Sequence, residues 1–170
     1  APVVYPYPMG NCWLVQDVYM ASTADEEIET IALIDPAKQV ILSAKDGAAV
    51  QSGLSGESKF SGEGSIALSH YAPNELRYKF SSEAAQLAVF SEIYYPAGWK
   101  SYIDGEEAPI LKADYTFRGL AIPAGEHDIV FRFDPQSFHL GANISRVTSL
   151  LLWLALVGVA VAGYMHRRRK

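Results

Sequence analysis

Residues 88–135 read AVFSEIYYPAGWKSYIDGEEAPILKADYTFRGLAIPAGEHDIVFRFDP, and this stretch decides the fold. Near its end, Ile129, Phe131 and Phe133 alternate with Asp128, Val130 and Arg132. That two-residue period marks a strand with one buried face. Trp99, Ser101 and Ile103 share one side of an earlier strand, and Lys100 and Tyr102 the other. Asp104-Gly105 is a hairpin turn signal that leads into a strand from Ala108 to Ala113. Pro96-Ala97-Gly98 and Pro123-Ala124-Gly125 repeat one turn chemistry, in which proline presets φ and glycine closes the turn. Leu87 to Phe90 is apolar without alternation, which places it centrally, covered on both sides.

Upstream the same pattern continues. Leu76, Tyr78 and Phe80 alternate with Arg77 and Lys79, and Ile66 and Leu68 alternate with small residues. Residues 12–20, CWLVQDVYM, form a strand by their apolar and aromatic content. Thr23-Ala24-Asp25-Glu26 is a capping box. It predicts a short helix from about Ala24 to Ile34, with an apolar face of Ile28, Ile31 and Ala32, ending at Asp35-Pro36. Residues 44–64 are rich in Gly, Ser and charge and read as a loop. Residues 1–10 carry Pro2, Pro6 and Pro8 and read as an extended lead-in. Short strands between tight turns predict an antiparallel, jelly-roll-like β-sandwich over residues 11–138, with one short helix packed outside.

Downstream, residues 147–165 read VTSLLLWLALVGVAVAGYM and carry no charge. As a helix they span about 28 Å, close to the hydrocarbon thickness of a bilayer. A connection over 139–146 precedes this segment and a basic tail over 166–170 follows it. Arg167, Arg168, Arg169 and Lys170 follow the helix, and Arg146 alone precedes it closely. The positive-inside rule therefore places the tail in the cytoplasm and residues 1–143 outside. Trp153 and Tyr164 belong to the anchor, Tyr164 at the inner interface, and Gly158 and Ala162 form a small-xxx-small pair open to another helix.

The formal net charge of −5 hides a split. Residues 1–143 hold all 19 acids but nine of the 14 Lys and Arg, a balance of −10. This offers no electrostatic footprint for nucleic acid. Cys12 is the only cysteine, so no intrachain disulfide forms, and no histidine lies near it in sequence. The chain starts without Met and shows no signal peptide, yet its outer part needs export; the expectation is a piece of a longer protein.

Tyr95-Pro96-Ala97-Gly98-Trp99-Lys100, Tyr102-Ile103-Asp104-Gly105 and Pro123-Ala124-Gly125-Glu126-His127 together carry a resemblance. The chain resembles the C-terminal extracytoplasmic domain and last transmembrane helix of YfhO-family bacterial membrane proteins. Gly10-Asn11-Cys12-Trp13 and Ala24-Asp25-Glu26-Glu27-Ile28 look like a Bacteroidetes branch. The resemblance implies a large polytopic parent in a bacterial inner membrane, similar to glycosyltransferases that use polyprenyl-phosphate sugars. In such enzymes the catalytic acids lie in an early extracytoplasmic loop, so no catalytic residue carries over to this sequence.

The acids Glu92, Asp104, Glu106, Glu107 and Asp114 could supply paired carboxylates, but turns and solvated loops account for them. His70, His127 and His139 lack metal-ligand spacing, and neither metal nor cofactor is expected. Tyr94, Tyr95 and Tyr102 can either contact a glycan or pack in the core. The reading is a non-catalytic accessory domain that packs on the catalytic part of its parent or helps bind an acceptor glycan. The alternative is a stand-alone membrane-anchored structural or carbohydrate-binding module. The partners expected are the lipid bilayer, the N-terminal membrane region of the same protein and a cell-envelope glycan.

Overall fold

The computed structural model describes residues 8–46 and 59–168, so most of the expected 1–10 lead-in, most of the expected 44–64 loop, Arg169 and Lys170 lie outside the described residues. The chain divides into two units, one ending at Phe133 and the other beginning at Asp134.

The first unit is a two-sheet β-sandwich. Its strands are β1 (Cys12–Val15), β2 (Asp17–Ala21), β3 (Gln39–Ser43), β4 (Ser65–Ala72), β5 (Glu75–Ser82) and β6 (Gln86–Ile93). They continue with β7 (Trp99–Ile103), β8 (Glu106–Ala108), β9 (Leu111–Ala113), β10 (Phe117–Ile122) and β11 (Gly125–Phe133). One sheet runs β1-β6-β10-β9-β3-β2 and the other β4-β5-β11-β7-β8. The pairings are antiparallel except β2 with β3, which are parallel and joined through the short helix α1 (Ala24–Ile31).

The six-stranded sheet is strongly curled. β1 and β2 are its opposite edges, yet only Gln16 lies between them. Val15 and Asp17 can be no more than roughly 7 Å apart along the chain, so the two edges must approach each other. Residues 12–20 are thus two strands and not the single one expected. The physical reason is the Lys38 carbonyl, which accepts from both Gln16 N (2.6 Å) and Asp17 N (3.1 Å) and turns the chain from β6 toward β3.

Curling gives the unit two cores. Val15, Val40, Leu42, Leu87, Val89, Leu111 and Phe60 pack inside the curl. Ala88, Phe90, Leu120 and Ile122 face the other way and meet Leu76, Tyr78, Phe80, Ile129 and Phe131 of the second sheet. β6 is therefore covered on both faces, as its unbroken apolar run implies. Phe131, Tyr78 and Phe90 meet edge to face, with centroids 4.8–5.9 Å apart. The expected strand from Ala108 to Ala113 is also divided. Pro109 has no N–H for a ladder, and β8 and β9 on either side belong to different sheets.

Thr23 caps α1, its hydroxyl accepting from Glu26 N at 3.2 Å. The Glu26 carboxylate reaches back to Ser22 N at 2.8 Å. The helix stops at Ile31, short of Ile34. Its packing departs from the expected apolar face: Ile28 is 51% exposed and Glu27 only 2% exposed. The residues that satisfy Glu27 come from a distant hairpin and form the candidate site.

The second unit is one helix, α2 (Gln136–Arg168), of 33 residues. At 1.5 Å per residue it is about 50 Å long, well beyond the ~30 Å hydrocarbon layer. It is long and apolar enough to cross a membrane, with a mean hydropathy of 2.0 over its most apolar stretch. It begins well before Val147, so the segment 139–146 is helical.

Candidate functional site

A polar cleft of about 400 Å³ opens where α1, the end of β3, the end of β6 and β9 meet. Its floor is a buried ion pair: Lys112 Nζ donates to Glu27 Oε2 at 3.0 Å. Glu27 Oε1 accepts from Tyr115 N at 2.6 Å, so both carboxylate oxygens are engaged. That second bond holds a strained turn between β9 and β10, where Asp114 (φ 46°) and Tyr115 (φ 67°) are both left-handed. Lys112 also lies over the Tyr115 ring, 4.1 Å from its centroid. On the rim, Asp46 Oδ2 accepts from Lys112 N at 3.2 Å and ties the segment after β3 to β9. Asp114 lies behind the turn and accepts from Ile41 N at 2.9 Å. Burial, with a smaller contribution from the negative charge of Glu27, pushes Asp114 up to about 6.

Tyr94 lines the same cleft. Its amide donates to Thr116 O at 2.7 Å, which fastens the β6–β7 connection to the β9–β10 turn and brings Tyr94, Tyr95 and Tyr115 to one end of the domain. Burial raises the Tyr94 hydroxyl pKa, and the nearby Asp46 charge adds to the effect. Tyr95 is 53% exposed and stacks on Phe133. Gly98 approaches that same ring so closely that a Cβ there would lie 2.2 Å from it, which accounts for the glycine before Trp99. Trp99 in turn covers the guanidinium of buried Arg118 at 4.2 Å, and Arg118 Nε donates to Ile93 O at 2.8 Å. Burial pulls the Arg118 pKa down.

A second acid-held turn lies between β7 and β8. Asp104 (φ 53°) and Gly105 (φ 90°) form the two-residue hairpin that the sequence signals. Asp104 Oδ1 accepts from Asp128 N at 2.8 Å and Oδ2 from His127 Nδ1 at 2.6 Å. The other ring nitrogen of His127 faces Ala124 O at 3.3 Å. Two acceptors flank the ring, so it is best satisfied as the doubly protonated cation. The His127 pKa is raised, chiefly by Asp104, and the Asp104 pKa is lowered, chiefly by His127. The Asp-Gly turn and the Pro-Ala-Gly turn are thus pinned together by one side-chain pair.

The structure gathers Tyr94 and Tyr95 and leaves Tyr102 elsewhere. Tyr102 is on the solvent face of the five-stranded sheet, 5.9 Å from the Arg132 guanidinium, among exposed pairs such as Lys79–Asp128 and Lys100–Glu107. Of the carboxylates weighed in sequence, Asp104 and Asp114 hold backbone amides and Glu107 pairs with Lys100. Cys12 is half-buried, its thiol 3.8 Å from Ile66 O, and burial pushes it up to about 11. On α2, Trp153 and Tyr164 are exposed, and the space beside Gly158 is open. Arg168 lies over the Tyr164 ring and Arg167 occupies the last turn. Glu27 is the residue that sequence reasoning misses. Its partners are 85 and 88 residues away, and the run of acids in the first helical turn gives it a sufficient local explanation.

Residues 51–145, more than half of the chain, match the family described as "Bacterial membrane protein YfhO". The chain is also 33% identical over 78 residues to a Bacillus subtilis (strain 168) protein named "Uncharacterized protein YfhO". That alignment covers 46% of this chain and 9% of the relative's length. No solved structure matches the chain.

Proposed function

The chain belongs to the YfhO family of bacterial membrane proteins, and from that premise we propose that it is the accessory extracytoplasmic end of a polytopic membrane protein related to polyprenyl-phosphate-sugar glycosyltransferases. Residues 1–143 lie outside the cytoplasm and the basic end of α2 lies inside. The domain packs on the catalytic part of its parent or helps hold an acceptor glycan, and performs no chemistry of its own. One observation carries this reading. The carboxylates best placed to act as acid or base are already committed to backbone amides: Glu27 to Tyr115 N, Asp46 to Lys112 N, Asp104 to Asp128 N and Asp114 to Ile41 N. Such groups shape turns, and releasing them to move a proton would release the turn as well. The charge asymmetry around α2 supports the orientation.

The test is reconstitution of the 170-residue chain in lipid with labelled polyprenyl-phosphate sugars and candidate acceptors. No transfer is expected. Turnover that disappears in Asp114→Ala would place a catalytic site in this domain and overturn the accessory reading. Orientation is read in intact cells: an impermeant thiol reagent should label Glu63→Cys in a Cys12→Ser background, and labelling only after lysis would reverse the topology.

A further inference from the structure

We propose that the cleft between α1, β3 and β9 is a binding site for a neutral, hydroxyl-rich saccharide. The inference rests on the glycan-holding reading above and gives it a location.

Three observations converge. First, the cleft carries hydrogen-bonding groups that make no hydrogen bond among the described residues. The Lys45 ammonium and the Tyr94 hydroxyl both line it, and neither makes a hydrogen bond or ion pair among the described residues, although the Asp46 charge lies near the phenol. Asp46 beside them uses Oδ2 on Lys112 N, and its Oδ1 accepts no hydrogen bond among the described residues. A sugar hydroxyl both donates and accepts and suits this mixture of an ammonium, a phenol and a carboxylate oxygen.

Second, the charge is balanced. Lys45 and Lys112 stand against Glu27 and Asp46, and the Lys112–Glu27 pair is closed on itself at 3.0 Å. A phosphate or sulfate would meet no net positive field here. An apolar ligand would leave the polar lining unpaired.

Third, a part-exposed ring stands beside the cleft. The bond from Tyr94 N to Thr116 O draws the β6–β7 connection and the β9–β10 turn together, and Tyr115, 39% exposed, stands beside the lining residues Glu27 and Lys112. Lys112 covers one face of Tyr115 and orients the ring. Tyrosine offers a sugar an apolar face and a polar tip at small entropic cost. A volume of about 400 Å³ falls within the usual span of small-molecule sites, about 300–1,000 Å³.

The experiment uses the whole chain in lipid nanodiscs. It is titrated calorimetrically with short neutral oligosaccharides of glucose, galactose and N-acetylglucosamine, and with their phosphorylated counterparts. Saturable binding of at least one neutral sugar is expected. Tyr94→Phe and Lys45→Gln should each weaken it about tenfold, while Tyr71→Ser, on the other sheet, should leave it unchanged. Unchanged melting temperatures show that the variants remain folded. Three results would overturn the proposal: no binding of any neutral sugar, binding of phosphorylated sugars alone, or equal affinity in wild type and both cleft variants. The accessory reading is judged separately, by whether a parent protein lacking its terminal outer domain still modifies its acceptor. The cleft can therefore fail while that reading stands.

Discussion

The turn after β9 and the turn after β7 are built alike. In each, two successive residues adopt positive φ, and a carboxylate from elsewhere or from the turn itself holds a backbone amide and a cation together. They differ in burial. Glu27 is 2% exposed and its lysine is largely covered, whereas half of the Asp104 side chain faces water. In the dry site, removing one partner leaves the other charged and unpaired, so the interaction is hard to lose. In the wet site, water replaces whatever is removed and salt screens the rest. The same chemistry is a structural necessity at one end of the domain and an adjustable pin at the other.

The largest expected effect breaks the buried member. Glu27→Ala strands the Lys112 ammonium and the Tyr115 amide, and it withdraws support from two strained residues. We expect a loss of about 3 kcal/mol, read by denaturant unfolding. Adding Lys112→Met to the same chain should recover part of it, because the unpaired charge is gone. If the double variant is less stable than the single one by the full cost of a second lesion, Glu27 and Lys112 are not coupled.

Asp114 sharpens the contrast, because burial works against it. Its folded pKa of about 6 stands above the ordinary value of 3.8, so the folded state takes up a proton more readily than the unfolded chain. Its contribution to stability is greatest at low pH and is lost as pH rises through about 6. Asparagine keeps an acceptor for Ile41 N, tolerates the left-handed backbone and carries no charge. Asp114→Asn should therefore stabilise the chain by about 1–2 kcal/mol at neutral pH and little at pH values near the ordinary Asp pKa. A melting series across pH in which the variant's advantage does not grow with pH would remove burial as the cause.

Much of the fold was legible because its signals are local. Alternation in residues 76–80 and 129–133, the Asp104-Gly105 turn and the Thr23 cap depend on neighbours along the chain, and the structure contains each of them. The cleft was not legible. Glu27 reads as one more acid at the positive end of a helix until a strand 85 residues away supplies its lysine. The break at Gln16 was hidden for the same reason, since the carbonyl that causes it belongs to Lys38. Tyr94 and Tyr95 are legible as aromatic residues flanking a turn, and what brings Tyr94 beside the Tyr115 turn is its backbone bond to Thr116. The curl of the six-stranded sheet follows from topology, which no window of sequence contains.

The smallest expected effect belongs to the exposed pin and is recognised by its shape with pH. His127 has a raised pKa, so its contribution is fully present below the unfolded value near 6.5 and is lost as pH rises through the folded value. Asp104 has a lowered pKa, so its contribution is present above the unfolded value near 3.8 and is lost as pH falls through the folded value. The two conditions overlap between roughly pH 4 and 6.5, where the pair is charged in the folded chain. Lys79, Glu126 and Asp128 stand around it. Lys79 is itself paired with Asp128 at 2.5 Å, so the surroundings are net acidic through Glu126 and through Glu106 and Glu107, which line a cavity with Asp104 and His127. Solvent screening limits the pair to less than about 1 kcal/mol. The measurement is the difference in melting temperature between wild type and His127→Gln as a function of pH, which cancels Asp114 because both chains contain it. The difference should be widest in the overlap window and shrink toward alkaline pH. High salt should shrink it too, in contrast to the Glu27→Ala loss, which salt should barely touch. A His127→Gln deficit that is flat across pH and salt would mean that the imidazole acts here by packing against Phe80, with which it stacks at 6.1 Å, and that its charge does not pin the two turns.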